Sequence, residues 1–235
     1  MNDLIVITGG TKGIGRALVE VFASNGWDVV TCSRNEKSLR QLKDSIEKEN
    51  EGVQIYYQAA DLSEKEQTEN FVRFVNGINR PVQVLINNTG VFIPGTIHEE
   101  PEGHMETMMK TNLYSAYYLT RGLIGGMMKR RSGHIFNICS TASITPYING
   151  GSYCISKYAQ YGMTKVLREE MKSFGVRVTA VLPGATLTAS WEGTDLPEER
   201  FMPPEDVAIA IWNAYSLSPR TVMEELLIRP QLGDI

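Results

Sequence analysis

A chain of 235 residues with 42% hydrophobic and 21% charged content has enough apolar material for one well-buried core and is short for two. Its 23 basic and 27 acidic residues leave a formal charge of −4 with no basic run, which argues against nucleic acid or an anionic membrane as the main partner. Cys32, Cys139 and Cys154 form neither an even disulfide set nor a close-spaced metal pair. No apolar run approaches the roughly 18 residues of a membrane span, and no basic region precedes the apolar stretch from Leu4, so a cytoplasmic setting is expected.

The first predicted strand, LIVIT (4–8), runs into TGGTKGIG and a helical pattern over 14–25. DVVTC (28–32) leads through Ser33-Arg34 to a helix over 36–49, and QIYYQ (54–58) leads through Asp61-Leu62 to a helix over 64–79. QVLIN (83–87) is followed by Asn88-Thr89-Gly90 and one long helix over 102–130. HIFNI (134–138) is followed by Ser140 and a helix over 153–174. RVTAVL (177–182) ends at Pro183-Gly184, an irregular segment fills 184–203, a helix covers 204–217, and ELLI (225–228) closes one edge. Strand and helix in alternation predict a single α/β domain over 1–235, a parallel doubly wound sheet with helices on both faces. The segment 184–203, about 20 residues long, has the length of a substrate loop or lid.

In such sheets ligands sit at the carboxyl ends of the strands, and the unusual clusters above all fall on that edge. Thr8, Gly9, Thr11, Lys12, Gly13, Ile14 and Gly15 lie between the first strand and its helix. Glycines there let the backbone turn tightly and approach a pyrophosphate, which then faces the NH groups of the helix N-terminus. At the end of the second strand an acid would hold the adenosine ribose of NAD. Here Ser33 and Arg34 stand instead, and with Lys12 they favour the 2′-phosphate of NADP(H). Arg34 is also readable as a solvated charge at a helix start. Asp61 suits either the adenine amino group or the N-cap of the third helix.

GSYCISKYAQYGMTKV (151–166) holds the pattern tyrosine, three residues, lysine twice: Tyr153 with Lys157 and Tyr161 with Lys165. On a helix each pair shares a face, about 6 Å apart along the axis. A nearby ammonium is expected to lower the phenol pKa from its ordinary value near 10 and so ready it for proton transfer to a carbonyl oxygen.

Together TGGTKGIG, Asp61-Leu62, Asn87-Asn88-Thr89-Gly90, Asn112, Ser140, Tyr153 with Lys157 and Pro183-Gly184 resemble the short-chain dehydrogenase/reductase family in its shorter branch, from Leu4 to about Gly184. The tail and size are similar to 3-oxoacyl-carrier-protein reductase-like and bacterial sepiapterin reductase-like members, with no motif choosing between them. The resemblance implies a Rossmann-type, seven-stranded, mainly parallel sheet and hydride transfer between NADP(H) and a carbonyl or alcohol. It implies that Lys157 holds the nicotinamide ribose, Ser140 orients the substrate oxygen and Asn112 anchors a water that relays protons to Lys157. A homodimer or homotetramer through the two long helices beside the site is implied as well. The family's usual alanine is Thr89 here, which puts local cofactor contacts in question.

The family spacing of 13 residues back from Tyr153 reaches Ser140, whereas from Tyr161 it reaches Ile148, which has no hydroxyl. Tyr153 and Lys157 are therefore the expected couple, with Tyr161 as packing and Lys165 as surface charge. Trp191, Phe201 and Met202 in the long loop are the expected substrate contacts, and His98, His104 and His134 lack ligand spacing, so no metal is expected. Two other readings remain open on the sequence: oxidation of an alcohol, and a binding protein that keeps the fold without turnover.

Overall fold

The computed structural model describes residues 2–191 and 193–235. Seven strands, β1 (Leu4–Thr8), β2 (Asp28–Ser33), β3 (Ile55–Ala59), β4 (Val82–Asn87), β5 (Gly133–Ile138), β6 (Val176–Pro183) and β7 (Glu225–Ile228), form one sheet in the order β3-β2-β1-β4-β5-β6-β7. Every pairing is parallel, so the expected sheet is present in a fully parallel form.

A parallel sheet covered on both sides has no polar face, and β1 shows this residue by residue. Ile5 and Ile7 join one core with Leu18, Phe22, Val29 and Ile211, while Leu4 and Val6 join the other with Phe71, Leu85, Leu119 and Ile135. Helices α1 (Gly13–Ser24), α2 (Glu36–Glu49) and α7 (Pro204–Tyr215) contribute to the first core. Helices α3 (Lys65–Gly77), α5 (Ser115–Arg130) and α6 (Gly151–Met171) contribute to the second. Phe22, Trp27, Trp212 and Tyr215 close the first core with edge-to-face ring pairs at 5.1 to 5.5 Å.

The long helix expected over 102–130 is corrected in its interior. Gly103 adopts φ +90° just before a short α4 (His104–Met108), a π-helical segment spans Met109–Tyr114, and α5 follows. The wider turn falls on Asn112, whose buried side chain is bonded across to the chain leaving β4. Sequence periodicity does not report such a local widening, which is frequent at functional sites.

Two asparagines inside the strands place the second helical layer. Asn87 Nδ2 donates to Thr120 Oγ1 of α5 at 2.9 Å and to Asn137 Oδ1 at 2.7 Å, and Asn137 Nδ2 donates to Thr164 Oγ1 of α6 at 2.9 Å. The chain reverses its winding at β1, whose neighbours are β2 and β4, so the crevice between the carboxyl ends of β1 and β4 is the switch point where ligands bind.

The opposite edge is held by charge. Arg80 donates to Asp28 Oδ2 at 2.7 Å with both side chains largely buried, and Asp28 Oδ1 also accepts from the Gln54 amide and from Asn2 Nδ2. Removing one partner of a buried pair strands the other charge. Arg80→Ala is expected to cost about 3 kcal/mol, read as a lower urea midpoint at unchanged slope, with turnover per folded molecule unaltered because the pair lies at the far end of the sheet.

Candidate active site

The glycine turn is built by close approach. Gly9 has φ +69°, a conformation open to glycine, and its amide donates to Cys32 O at 2.9 Å. A Cβ on Gly15 would sit 2.1 Å from Gly9 O, so only glycine lets α1 start so close beneath the turn. Thr8 Oγ1 accepts from the amides of Asn88 and Thr89, both at 2.9 Å, while Asn88 Nδ2 donates to Thr8 O at 2.8 Å. These bonds stitch the turn to the loop after β4. The hydroxyl of Thr89 lies 3.4 Å from where a Gly9 Cβ would be, so the residue that replaces the family's alanine faces the turn itself.

No side chain caps the N-terminus of α1 and no acid occupies its first turn. Its amides are therefore left to an anion, the arrangement a pyrophosphate needs. Lys12, at the N-cap, and Arg34, just past β2, are exposed, and among the described residues neither has a carboxylate within 4.0 Å. Thr11 and Ile14 are half-buried beside them. Ser33 donates its hydroxyl to Asn35 O at 3.3 Å, and Asn35 caps α2 by accepting from Ser38 N at 3.0 Å. Asp61 is corrected as an N-cap: its Oδ1 accepts from the amide and hydroxyl of Ser63 in a local turn, and the N-cap of α3 is Glu64. Leu62 is buried in the second core.

At the end of β5 the chain turns sharply. Ser140 is extended, its Oγ accepts from Ala142 N at 3.1 Å, and Ser143 Oγ accepts from Ser140 N at 3.2 Å. Ser143 thus fixes the backbone of Ser140. Tyr153 enters from the first turn of α6, with Phe92 edge-on at 4.9 Å. Burial pushes its phenol above the ordinary value, and the nearby Ser140 hydroxyl counters the rise. Lys157 is buried, and its Nζ donates to Ile138 O at 2.9 Å and Gln160 Oε1 at 3.0 Å, 5.9 Å from the Tyr153 ring centroid. Burial lowers this ammonium to about 8. The expectation that Lys157 depresses the tyrosine pKa is therefore corrected: desolvation dominates both groups, and the lysine is turned to neutral acceptors.

Asn112 meets the same place from the π-helical segment. Its Oδ1 accepts from Val91 N at 2.8 Å, and its Nδ2 donates to Val91 O at 3.0 Å and Ser156 Oγ at 2.9 Å. A Cβ on Gly90 would lie 3.3 Å from Asn112 Oδ1 and 3.5 Å from Lys157 Nζ, so Gly90, Asn112 and Lys157 converge. The second tyrosine and lysine pair lies elsewhere. Tyr161 donates to Glu225 of β7, Lys165 Nζ is 3.7 Å from the same carboxylate, and the Tyr161 ring packs on Cys139, Ala180 and Leu182.

Pro183 ends β6, and Gly184 N donates to Ile228 O at 2.8 Å. Beyond it the long loop is tied at its base, with Met202 N donating to Ala185 O at 3.0 Å and Leu187 N to Met202 O at 2.9 Å. Phe201 and Met202, two of the expected substrate contacts, are buried, 6% and 7% exposed, and anchor the loop. Trp191 is half-buried with its ring 5.0 Å from Phe201. Thr188, which no spacing singled out, brings its methyl to 3.0 Å from the Cβ position of Gly13, so the loop reaches the glycine turn.

Glu100 was also invisible in sequence, where it sits among other acids. It accepts from Ser152 N at 2.8 Å and from Ser152 Oγ, and this holds its carboxyl below the usual range. The N-terminus of α6 has no cap of its own, so Glu100 supplies one from a distant segment.

Fold and site define a dinucleotide-binding sheet with a tyrosine, lysine and serine gathered at its carboxyl edge. A sequence model of the family described as short chain dehydrogenase matches residues 3–198. The chain is 33% identical over 243 residues to sepiapterin reductase of Chlorobaculum tepidum, covering 100% of this chain and 99% of the relative. It is 28% identical over 239 residues to the NADP-dependent 3-hydroxy acid dehydrogenase of Escherichia coli (strain K12), covering 97% and 94%. The structure of L-sorbose reductase from Gluconobacter frateurii complexed with NADPH and L-sorbose superposes with a TM-score of 0.90 at 25% identity, over 97% of this chain and 95% of that one. The chain belongs to the short-chain dehydrogenase family.

Because Glu100 caps the helix that carries Tyr153, Glu100→Ala is expected to cost about 1 to 2 kcal/mol. Glu100→Gln, which keeps an acceptor, should lose less. Urea titration of the two variants checks the ordering.

Proposed function

We propose that the protein reduces the carbonyl group of a small molecule to an alcohol with NADPH. The observation that carries this reading is the meeting of Ser140, Tyr153 and Lys157 at the switch-point edge, beside an uncapped helix N-terminus. Exposed Lys12 and Arg34, with no acid at the end of β2, support NADP(H) over NAD(H), as do the NADP-dependent relative from Escherichia coli and the NADPH complex of L-sorbose reductase. The cofactor fits the residues present: Gly9 and Gly15 leave room for backbone approach, α1 offers its amides, and Asn88, Thr89 and Gly90 line the crevice.

When bound, NADPH supplies the hydride and leaves as NADP⁺. This chain's residues do the rest. Ser140 donates to the substrate oxygen and orients it. Tyr153 gives that oxygen the proton that completes the alcohol, and its raised pKa keeps it protonated and ready to donate. Lys157, as ammonium and the stronger acid of the two, passes a proton back to the phenolate left behind, with Asn112 anchoring the relay. Holding these groups in register accounts for most of the catalysis. Since the lysine is charged below about 8, reduction should be supported there and decline as pH rises past that value.

A homodimer or homotetramer is part of the same proposal. Tyr114 and Tyr117 at the start of the α5 arm, with Ile155, Tyr158 and Val166 on α6, are exposed apolar residues that support association through these helices. Among the described residues no helix is long and apolar enough to cross a membrane.

A panel of ketones, aldehydes and diketones followed by NADPH absorbance tests the reading; binding of NADPH with no turnover of any member overturns it. Tyr153→Phe is expected to reduce kcat by at least a hundredfold, on the order of a lost general acid, with the Kd for NADPH within about twofold. Tyr161→Phe should leave kcat within about twofold, since its phenol donates to Glu225 and accepts from Lys165, both at the surface. Arg34→Asp should reverse the preference for NADPH over NADH, seen in the ratio of the two KM values.

A further inference from the structure

We infer that Gln160 is the positioning residue for the Lys157 ammonium: its amide oxygen and the Ile138 carbonyl hold two of the three lysine protons and aim the third at the reacting groups. This rests on the reading of Lys157 given above. The geometry is direct. Gln160 follows Lys157 by three residues on α6, both side chains are buried against the sheet, and Oε1 lies 3.0 Å from Nζ. An ammonium only donates, so the amide must present its oxygen to it.

No carboxylate reaches this ammonium through a bond or an ion pair among the described residues. The titratable groups that face it are Cys139 of the β5 end and Tyr153 of its own helix, with Gly90 and Asn112 adjacent from the β4 side. The Cys139 thiol is raised to about 11 by burial and is neutral at ordinary pH. The charge therefore depends on dipoles alone, one of them a backbone carbonyl that no substitution removes and the other Gln160.

Two further features favour a role over mere filling. Gln160 Nε2 is buried with no hydrogen-bond partner among the described residues, a cost that a leucine of similar size would avoid. The base of the side chain is also fixed, because Thr164 Oγ1 donates to Gln160 O at 2.7 Å while accepting from Asn137 Nδ2 of β5. The amide thus projects from a point pinned to the strand that supplies Ile138.

Full-length protein labelled with ¹³C-lysine provides a substrate-free test, with the Lys157 Cε resonance identified by its loss in Lys157→Met. In Gln160→Leu the titration midpoint of that resonance should fall, and in Gln160→Glu it should rise. The basic limb of kcat/KM for NADPH-dependent reduction, measured with the best carbonyl of the panel, should move in the same two directions. A drop of about one unit for Gln160→Leu corresponds to roughly a tenfold loss on the alkaline side. An unshifted midpoint and limb in a folded Gln160→Leu protein overturn the inference, and that result stands alone if the glutamate variant does not fold. Full turnover in Lys157→Met would instead bring down the catalytic reading on which it rests.

Discussion

The seating of α6 on the carboxyl end of β5 is the constraint on which the rest of the structure depends. Two buried bonds fix it: Asn137 Nδ2 to Thr164 Oγ1, and Lys157 Nζ to the Ile138 carbonyl. The strand contributes Ser140 and the helix contributes Tyr153, so their mutual reach is decided by this register. A slip of one residue along the strand would move Ser140 by about 3.3 Å, and one residue of helix rotation would turn Tyr153 by about 100°. Hydrophobic packing between a parallel sheet and a helix tolerates small slides. Directional bonds between buried amides and hydroxyls do not, because a slide leaves them unpaired. The outer end of the same helix is then held by Glu100, and its far face by the Tyr161, Lys165 and Glu225 cluster.

The same seating sets the electrostatics. Enclosing a phenol, an amine and a thiol together, with no carboxylate bonded to the amine, raises Tyr153 and Cys139 and lowers Lys157, so all three are pushed toward their neutral forms. A raised phenol pKa and a lowered amine pKa reverse and widen the small gap these groups have in water, so the lysine ammonium becomes the stronger acid of the two. The sign follows for stability as well. The lysine binds its proton less tightly folded than unfolded, so its burial opposes folding fully below about pH 8 and is relieved as pH rises from there toward the unfolded value. The site is thus a place where stability is given up for chemistry.

Much of this was legible in the sequence because it is local or periodic. The alternation of apolar runs and helical patterns placed seven strands within a residue or two, and a serine 13 positions upstream separated Tyr153 from Tyr161. What escaped depends on contacts between distant segments. Glu100 and Ser152 are 52 residues apart, and no spacing rule links them. The π-helical turn at Asn112 arises from bonds to Val91, 21 residues earlier. Asp61 carried two readings because the same side chain suits a ligand or a cap, and the structure gave it a third use in a local turn. The burial of Phe201 and Met202 follows from bridge pairing at the loop base, which no local pattern announces.

On the reading proposed above, Ser140, Tyr153 and Lys157 address only the oxygen and the proton supply, so selectivity for one carbonyl compound over another cannot come from them. It has to come from the segments around the site, which differ in how they are tied and in how much they expose. Phe92 is set against the tyrosine ring by a loop whose backbone Asn112 clamps at Val91 on both its N–H and its C=O. The stretch after Ser143 carries Tyr147 and Ile148, exposed by 48% and 87%, with its end tied by the Gly95 amide to Asn149 O. The loop after β6 is fastened at Ala185, Leu187 and Met202 and reaches Gly13 through Thr188, yet exposes most of what lies between Gly193 and Glu199. On that reading the outer segments, and not the groups that address the oxygen, determine which substrate fits.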